Sequence, residues 1–316
     1  MNIYHFIDFP GFGTVHKLIT ELGENHSDNK VIMPINGKIV IDNDLIKKIN
    51  EEECIIIIHA SGRLDSYYLH NYKRLFINKR LYMFMHVSPK YLILKKRDQM
   101  FKHLKEFVEY YNGCILTPSK QTTQAYIKYG LRTKTIQMGI KNIEQNKKYY
   151  NYIPELSEFY DKIITTCTSD EEIYRKIKGV DRFERLLNKL KIKNLGLICG
   201  NDNIENLNIK CKKFTTDQFL NILCHSKAYV QLSRLETYNL TAVQAKRFKI
   251  PVFLLRTEGT PFCMNGNVYK NLKDLELELK QVIAGNIDIR KIERLYQDSL
   301  TRESLENFNR ELLSLA

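Results

Sequence analysis

Glu236 stands in the stretch SRLETYNLTAVQAKRFKIP (233–251), eight residues ahead of Gln244. A carboxylate accepts hydrogen bonds from hydroxyl groups, and an amide both accepts and donates them. The run NLTAVQAKRFK reads as a helix entered from a loop, with Glu236 at its mouth. The backbone N–H groups of about Thr237, Tyr238, Asn239 and Leu240 then lie at the helix start, where orphan donors and the positive end of the dipole attract phosphate. Eight helical residues span about 12 Å. One end of the helix can hold a sugar beside Glu236 while Gln244 meets a more distant part of the same nucleotide. An ordinary helix-entry acid followed by a solvated helix Gln has the same spacing.

Other reactive patterns are scarce. Asp42 and Asp44 follow a strand-like KIVI run, the placing of a metal and diphosphate ligand. Asp also caps helices, and DLIKKIN has helical spacing, so the cap is preferred. The seven Cys form no CxxC pair, and several sit in apolar runs, the pattern of a reduced, cytoplasmic protein. The eight His show no HExxH or other ligand spacing, so no metal site and no bound cofactor is expected. Gly11 and Gly13 in FPGFGTVHKL can make a tight turn after a first strand. The third Gly of a dinucleotide fingerprint is missing, which argues against a dehydrogenase.

The net charge is +13 and uneven: 23 basic and 14 acidic side chains in residues 1–150, against 26 and 22 in 151–316. Residues 63–105 hold eleven basic and two acidic side chains. An anionic partner fits such a patch, whether a phosphate-bearing acceptor or an anionic membrane touched peripherally. A nucleic acid is not expected, since no helix-turn-helix or RNP-like pattern is present. The start MNIYHFIDFPGFG lacks a basic leader with an apolar core. No apolar run approaches the ~20 residues of a membrane span.

The elements that must position these residues alternate. NIYHFID, KVIMPI, CIIIIHA, LYMFMHV, GCILTPS and TKTIQM read as strands, interleaved with helical segments at 14–23, 92–111 and 119–129. NKKYYNYIPELSEFYD (146–161) breaks the rhythm as a linker or interface. KIITTCT, NLGLICG, AYVQLS and IPVFLL then read as strands between helices, and further helices close the C-terminus. The fold class is α/β: two Rossmann-like domains, 1–150 and 151–316, facing across a cleft.

LSRLETYNLTAVQAKRFKIPVF resembles the donor-site signature of retaining GT-B glycosyltransferases of the glycosyltransferase family 4 (group 1) type. That signature is a Glu, seven residues, a second Glu, then a small residue and PV. Glu236 matches the acid that contacts donor-sugar hydroxyls. Gln244 stands where the family has a Glu for the ribose, and Lys249-Ile250 replaces the usual Gly before the Pro. IKGVDRFERLLNKLKIKNLGLICG resembles the family's KG helix and following strand, which makes Lys178 the cation on the donor diphosphate. The family's companion Arg falls at Glu172, and Arg175 is the nearest substitute. TEGTPF puts Gly259 in a loop near the sugar. FPGFGTVHKL resembles the family's Gly-rich loop, with Gly11 and Gly13. MFMHVS matches the strand whose His, here His86, lies close to the reacting sugar. The resemblance implies hexosyl transfer from a nucleotide sugar, with UDP expected, to a glycan, a lipid-linked saccharide or a protein, without a metal. The departures at Gln244 and Glu172 leave an impaired accessory subunit of the same fold as the alternative.

Overall fold

A computed structural model describes residues 1–7, 13–32, 41–60, 75–76, 79–94, 99–200, 202, 209–257, 268–286, 296–297 and 300–315. The chain divides into two compact units, Met1–Lys141 with Glu303–Ala316, and Asn142–Arg302.

In the first unit the runs of Ile, Phe and Met become β1 (Asn2–Ile7), β2 (Asn29–Ile32), β3 (Cys54–Ala60), β4 (Arg80–Met85), β5 (Cys114–Thr117) and β6 (Thr133–Thr135). They form one parallel sheet in the order β2-β1-β3-β4-β5-β6. All seven residues of β3 are buried, which explains why CIIIIHA shows no alternation: helices cover both faces. Those helices are α1 (Gly13–Asn25), α2 (Asn43–Glu51), α3 (Pro89–Leu94), α4 (Gln99–Tyr110) and α5 (Lys120–Ile127). Asp42 caps α2, its side chain accepting from the N–H of Leu45, as the helical run predicts.

Gly23 does not end α1, which runs on to Asn25. A Cβ there would lie 2.6 Å from the Val31 side chain, so the glycine lets the helix press on β2. The C-terminal helix α11 (Leu305–Leu313; α6–α10 follow below) packs in this first unit, whereas the sequence reading grouped the closing helices with the second. Ile140 N–H donates to the Glu303 carbonyl, and Phe308 meets Phe84 edge-on. A Cβ on Gly139 would sit 1.9 Å from the Ser304 carbonyl oxygen, which only glycine avoids.

The second unit holds β7 (Ile163–Thr166), β8 (Gly196–Cys199), β9 (Lys210–Lys212), β10 (Ala228–Gln231), β11 (Val252–Leu255) and β12 (Val268–Tyr269). Its parallel order is β12-β11-β10-β7-β8-β9. Its helices are α6 (Glu172–Lys178), α7 (Val180–Leu190), α8 (Thr216–Cys224), α9 (Leu240–Arg247) and α10 (Leu272–Ile283). Thr215 and Gln218 close a capping box on α8. The Tyr- and Asn-rich segment folds into short 3-10 helices held by buried Asn221, which donates to the Tyr149 and Asn151 carbonyls and accepts from the Tyr160 hydroxyl. Among the described residues, no helix is long and apolar enough to cross a membrane.

Candidate functional site

In the second sheet the strand order reverses between β7 and β10, the place where ligands bind in open parallel sheets. Gln231 ends β10 at this point and is buried. Its Nε2 donates to the Lys178 carbonyl (2.6 Å) and to the Ser233 hydroxyl (3.0 Å). Its Oε1 accepts from the hydroxyls of Thr166 (3.0 Å) and Tyr229 (2.9 Å). One amide thus ties the end of α6 to both central strands.

Lys178 closes α6, and Gly179 turns the chain with φ +75° before α7 starts. A Cβ on Gly179 would lie 2.0 Å from the Leu232 carbonyl oxygen, so both the left-handed backbone and the close approach require glycine. This contact sets Lys178 against the loop after β10. Lys178 Nζ lies 3.1 Å from Glu236 Oε2, with side chains 23% and 9% exposed. Burial works against the lysine charge, but the Glu236 carboxylate outweighs it and holds the lysine above its ordinary pKa. Burial also pushes the Tyr229 phenol up to about 12.

Arg175 lies one turn earlier on α6, and its Nε is buried with no hydrogen-bond partner among the described residues. Both cations face the end of β7. The Cys167 thiol there is pushed up by burial, while Lys178 and Arg175 pull it down. Glu172, at the family's Arg position, is exposed and pairs with Lys176. The loop after β10 is braced by Arg234, whose two terminal nitrogens each lie 2.7 Å from Asp181 on α7. Arg234, with Arg185, holds the Asp181 carboxyl down at about 2.

Helix α9 begins at Leu240, one residue into the run NLTAVQAKRFK, and Glu236 precedes it in the loop. Asn239 decides the start: its Oδ1 accepts from the N–H of Ala242, the stronger cap. Thr237 and Tyr238 belong to the loop, and the N–H groups of Leu240 and Thr241 open the helix without a partner among the described residues. Gln244 is half-buried on α9, and its side chain has no hydrogen-bond partner among those residues. Lys249 adopts φ +61°, a left-handed conformation that glycine takes without strain. Gly13 opens α1, while Gly11 and Gly259 lie outside the described residues.

In the first unit His86 follows β4, its N–H donating to the Ala60 carbonyl. It does not stand alone. His86 Nε2 lies 3.0 Å from His59 Nδ1, His59 Nε2 lies 2.9 Å from His5 Nδ1, and His5 Nε2 lies 2.8 Å from Asn29 Oδ1. Burial lowers His5 to about 4 and His86 to about 3, and pushes His59 well below its usual value. Sequence reasoning missed His5, His59, Gln231, Ser233 and Tyr229. The signal was a single polar residue inside otherwise apolar strands, as in NIYHFI, CIIIIHA and AYVQ. Among the described residues no group of three His, Cys, Asp or Glu side chains is placed to hold a metal ion.

No sequence-family profile matches the chain, and no curated relative matches by sequence. Solved structures do match. A UDP-forming α,α-trehalose-phosphate synthase from Burkholderia xenovorans, in complex with glucose-6-phosphate, superposes with a TM-score of 0.67 at 9% identity, covering 99% of both chains. A trehalose-6-phosphate synthase from E. coli bound with UDP-2-fluoro glucose gives 0.67 at 11% identity, covering 99% of this chain and 98% of the other. The likeness extends over the whole chain and shows the GT-B fold.

Proposed function

We propose that this chain is a glycosyltransferase that moves a hexose from a UDP-linked donor to a hydroxyl-bearing acceptor, with retention at the anomeric carbon. The observation that carries the reading is the Lys178–Glu236 pair, with Arg175 beside it, at the switch point of the second sheet. Breaking the bond between sugar and diphosphate builds negative charge on the leaving group, which fixed cations and amides must meet. Lys178, Arg175 and the opening N–H groups of α9 would meet it. Glu236, held by Lys178 and the Ser233 hydroxyl, would accept from the hydroxyls of the donor sugar. The family 4 resemblance rests on the same residues and names this sugar contact. The similar fold of an enzyme bound with UDP-2-fluoro glucose supports UDP as the nucleotide.

The excess of basic residues in 1–150 favours an anionic acceptor. The glucose-6-phosphate in a similar structure makes a sugar phosphate the first candidate, ahead of a lipid-linked saccharide, a glycan or a protein. A membrane-borne acceptor would recruit the basic 63–105 stretch to an anionic surface in the cytoplasm.

The test is a thermal shift with UDP, GDP and NAD, since a ligand of the folded state raises Tm by mass action. UDP should give the largest shift and Lys178→Ala should remove most of it. Equal shifts from all three would sink the reading. Transfer from UDP-hexose to a sugar phosphate should persist in EDTA. Gln244 and Glu172 favour a second reading, an accessory subunit that binds donor without transfer. UDP binding with zero transfer across hexose donors and acceptor classes would select it.

A further inference from the structure

Gln231 ends β10 between Val230 and Leu232, both apolar and fully buried. Packing alone does not ask for an amide there, and a buried amide is costly unless its polar atoms are bonded. At Gln231 they all are. The Lys178 carbonyl can only accept, so the Gln231 nitrogen must face it. The second Nε2 hydrogen goes to the Ser233 hydroxyl, 3.0 Å away. The Thr166 and Tyr229 hydroxyls fill the oxygen side. Exchanging the two ends of the amide would set two oxygens face to face at Lys178. The neighbours therefore leave Gln231 a single orientation.

That orientation reaches Glu236. The Ser233 oxygen accepts a hydrogen from Gln231, so its own hydrogen is left to donate, and Glu236 Oε2 lies 3.5 Å away. Lys178 Nζ donates to the same oxygen at 3.1 Å. Lys178 is thus held at both ends, its carbonyl by Gln231 and its ammonium by Glu236. Both donors meet Oε2, and no described residue donates to Oε1. We propose that Gln231 and Ser233 are positioning residues that fix Oε2 of Glu236 and leave Oε1 to accept from a hydroxyl of the donor sugar. This rests on the reading of the Lys178–Glu236 pair as part of a donor site. Without the two residues the carboxylate can turn, share Lys178 between its oxygens and lose the sugar contact.

Titration calorimetry of the full chain with UDP and with UDP-glucose tests this, since only the second ligand carries the sugar. The ratio of the two Kd values isolates the sugar contact. Ser233→Ala should raise the Kd for UDP-glucose about threefold and leave that for UDP unchanged, and Gln231→Met should raise the ratio of UDP-glucose to UDP about tenfold, the scale of one hydrogen bond to a charged group. A ratio unmoved by Ser233→Ala, which deletes a single hydroxyl, overturns the proposal. Equal losses for both ligands in Gln231→Met overturn it too, because Gln231 would then only brace β7 and β10. One further measurement needs no variant to fold. The side-chain amide hydrogens of Gln231, both bonded and buried, should exchange with water about a hundredfold more slowly than those of exposed Gln124. Comparable rates overturn the proposal. A wild-type chain that binds neither ligand overturns the glycosyltransferase reading and the sugar contact with it, while slow amide exchange still establishes the Gln231 anchor.

Discussion

In the first sheet β1 and β3 flank the strand reversal and carry neutral imidazoles in a hydrogen-bonded line that ends on an asparagine. In the second sheet, the ends of β7 and β10 gather a lysine, a glutamate and an arginine around a buried glutamine. Both are parallel sheets with a reversal of strand order, yet one gathers hydrogen-bond direction and the other gathers charge. The difference follows burial. Fully enclosed groups remain neutral and pair nitrogen to nitrogen, while Lys178 keeps its charge because it is partly exposed and has a carboxylate at hand. A fold supplies the place, and local burial decides whether charge or polarity fills it.

The contrast can be broken most severely at Lys178. Lys178→Ala should lower transfer by about 10²–10³-fold, the scale of losing one fixed donor to a developing oxyanion. A variant within threefold of wild type would remove the cation from the mechanism. Gly179→Ala should destabilise the second unit by about 3 kcal/mol, since it combines left-handed strain with a clash against the Leu232 carbonyl. Urea denaturation reads this directly, and protection of the first unit against hydrogen exchange should be unchanged.

Acid should separate the units. His5 and His86 have folded pKa values of about 4 and about 3, below the unfolded value of about 6.5. Between these limits the unfolded chain binds protons that the folded chain refuses, so stability falls as pH drops below about 6.5. Each histidine contributes a loss of about 2 kcal/mol by pH 5, and the loss flattens once the folded group also titrates. Asp181 in the second unit is depressed to about 2, so its stabilisation holds above the ordinary aspartate value of about 4 and fades only below it. Hydrogen exchange at pH 5 should therefore show residues 2–7 and 54–60 losing protection before 163–166 and 228–231.

Arg175→Ala should weaken UDP binding about tenfold, ~1.4 kcal/mol, with the unliganded Tm nearly unchanged. Its Nε has no described hydrogen bond to lose. Lys249→Gly is the smallest change. Relief at φ +61° and the added entropy of the unfolded chain oppose each other, and stability should move by less than about 0.5 kcal/mol.

The strands were legible because CIIIIHA, NLGLICG and IPVFLL are continuous apolar runs, which parallel strands buried on both faces require. The α2 cap was legible because Asp42 acts on an N–H group three residues away. Lys178 and Glu236, 58 positions apart, were each singled out through a family resemblance, and the structure brings them to 3.1 Å. The start of α9 was legible within one residue in NLTAVQAKRFK, whose Asn239 caps the helix through Ala242 and also accepts from Tyr229. Gly23 was misread because the Val31 side chain that explains it comes from the next strand.

By itself, then, the order of residues determined which runs became strands or helices, since those choices depend on neighbours a few positions away. It also placed the excess of positive charge in the first half. Only tertiary structure brought Asn309, near the C-terminus, to Asn29 at the end of the buried histidine line. Only tertiary structure set Gly179 against Leu232, and so Lys178 against Glu236. Hydrogen-bond direction and ion pairing depend on atoms within a few ångströms, and chain distance does not encode which atoms those will be.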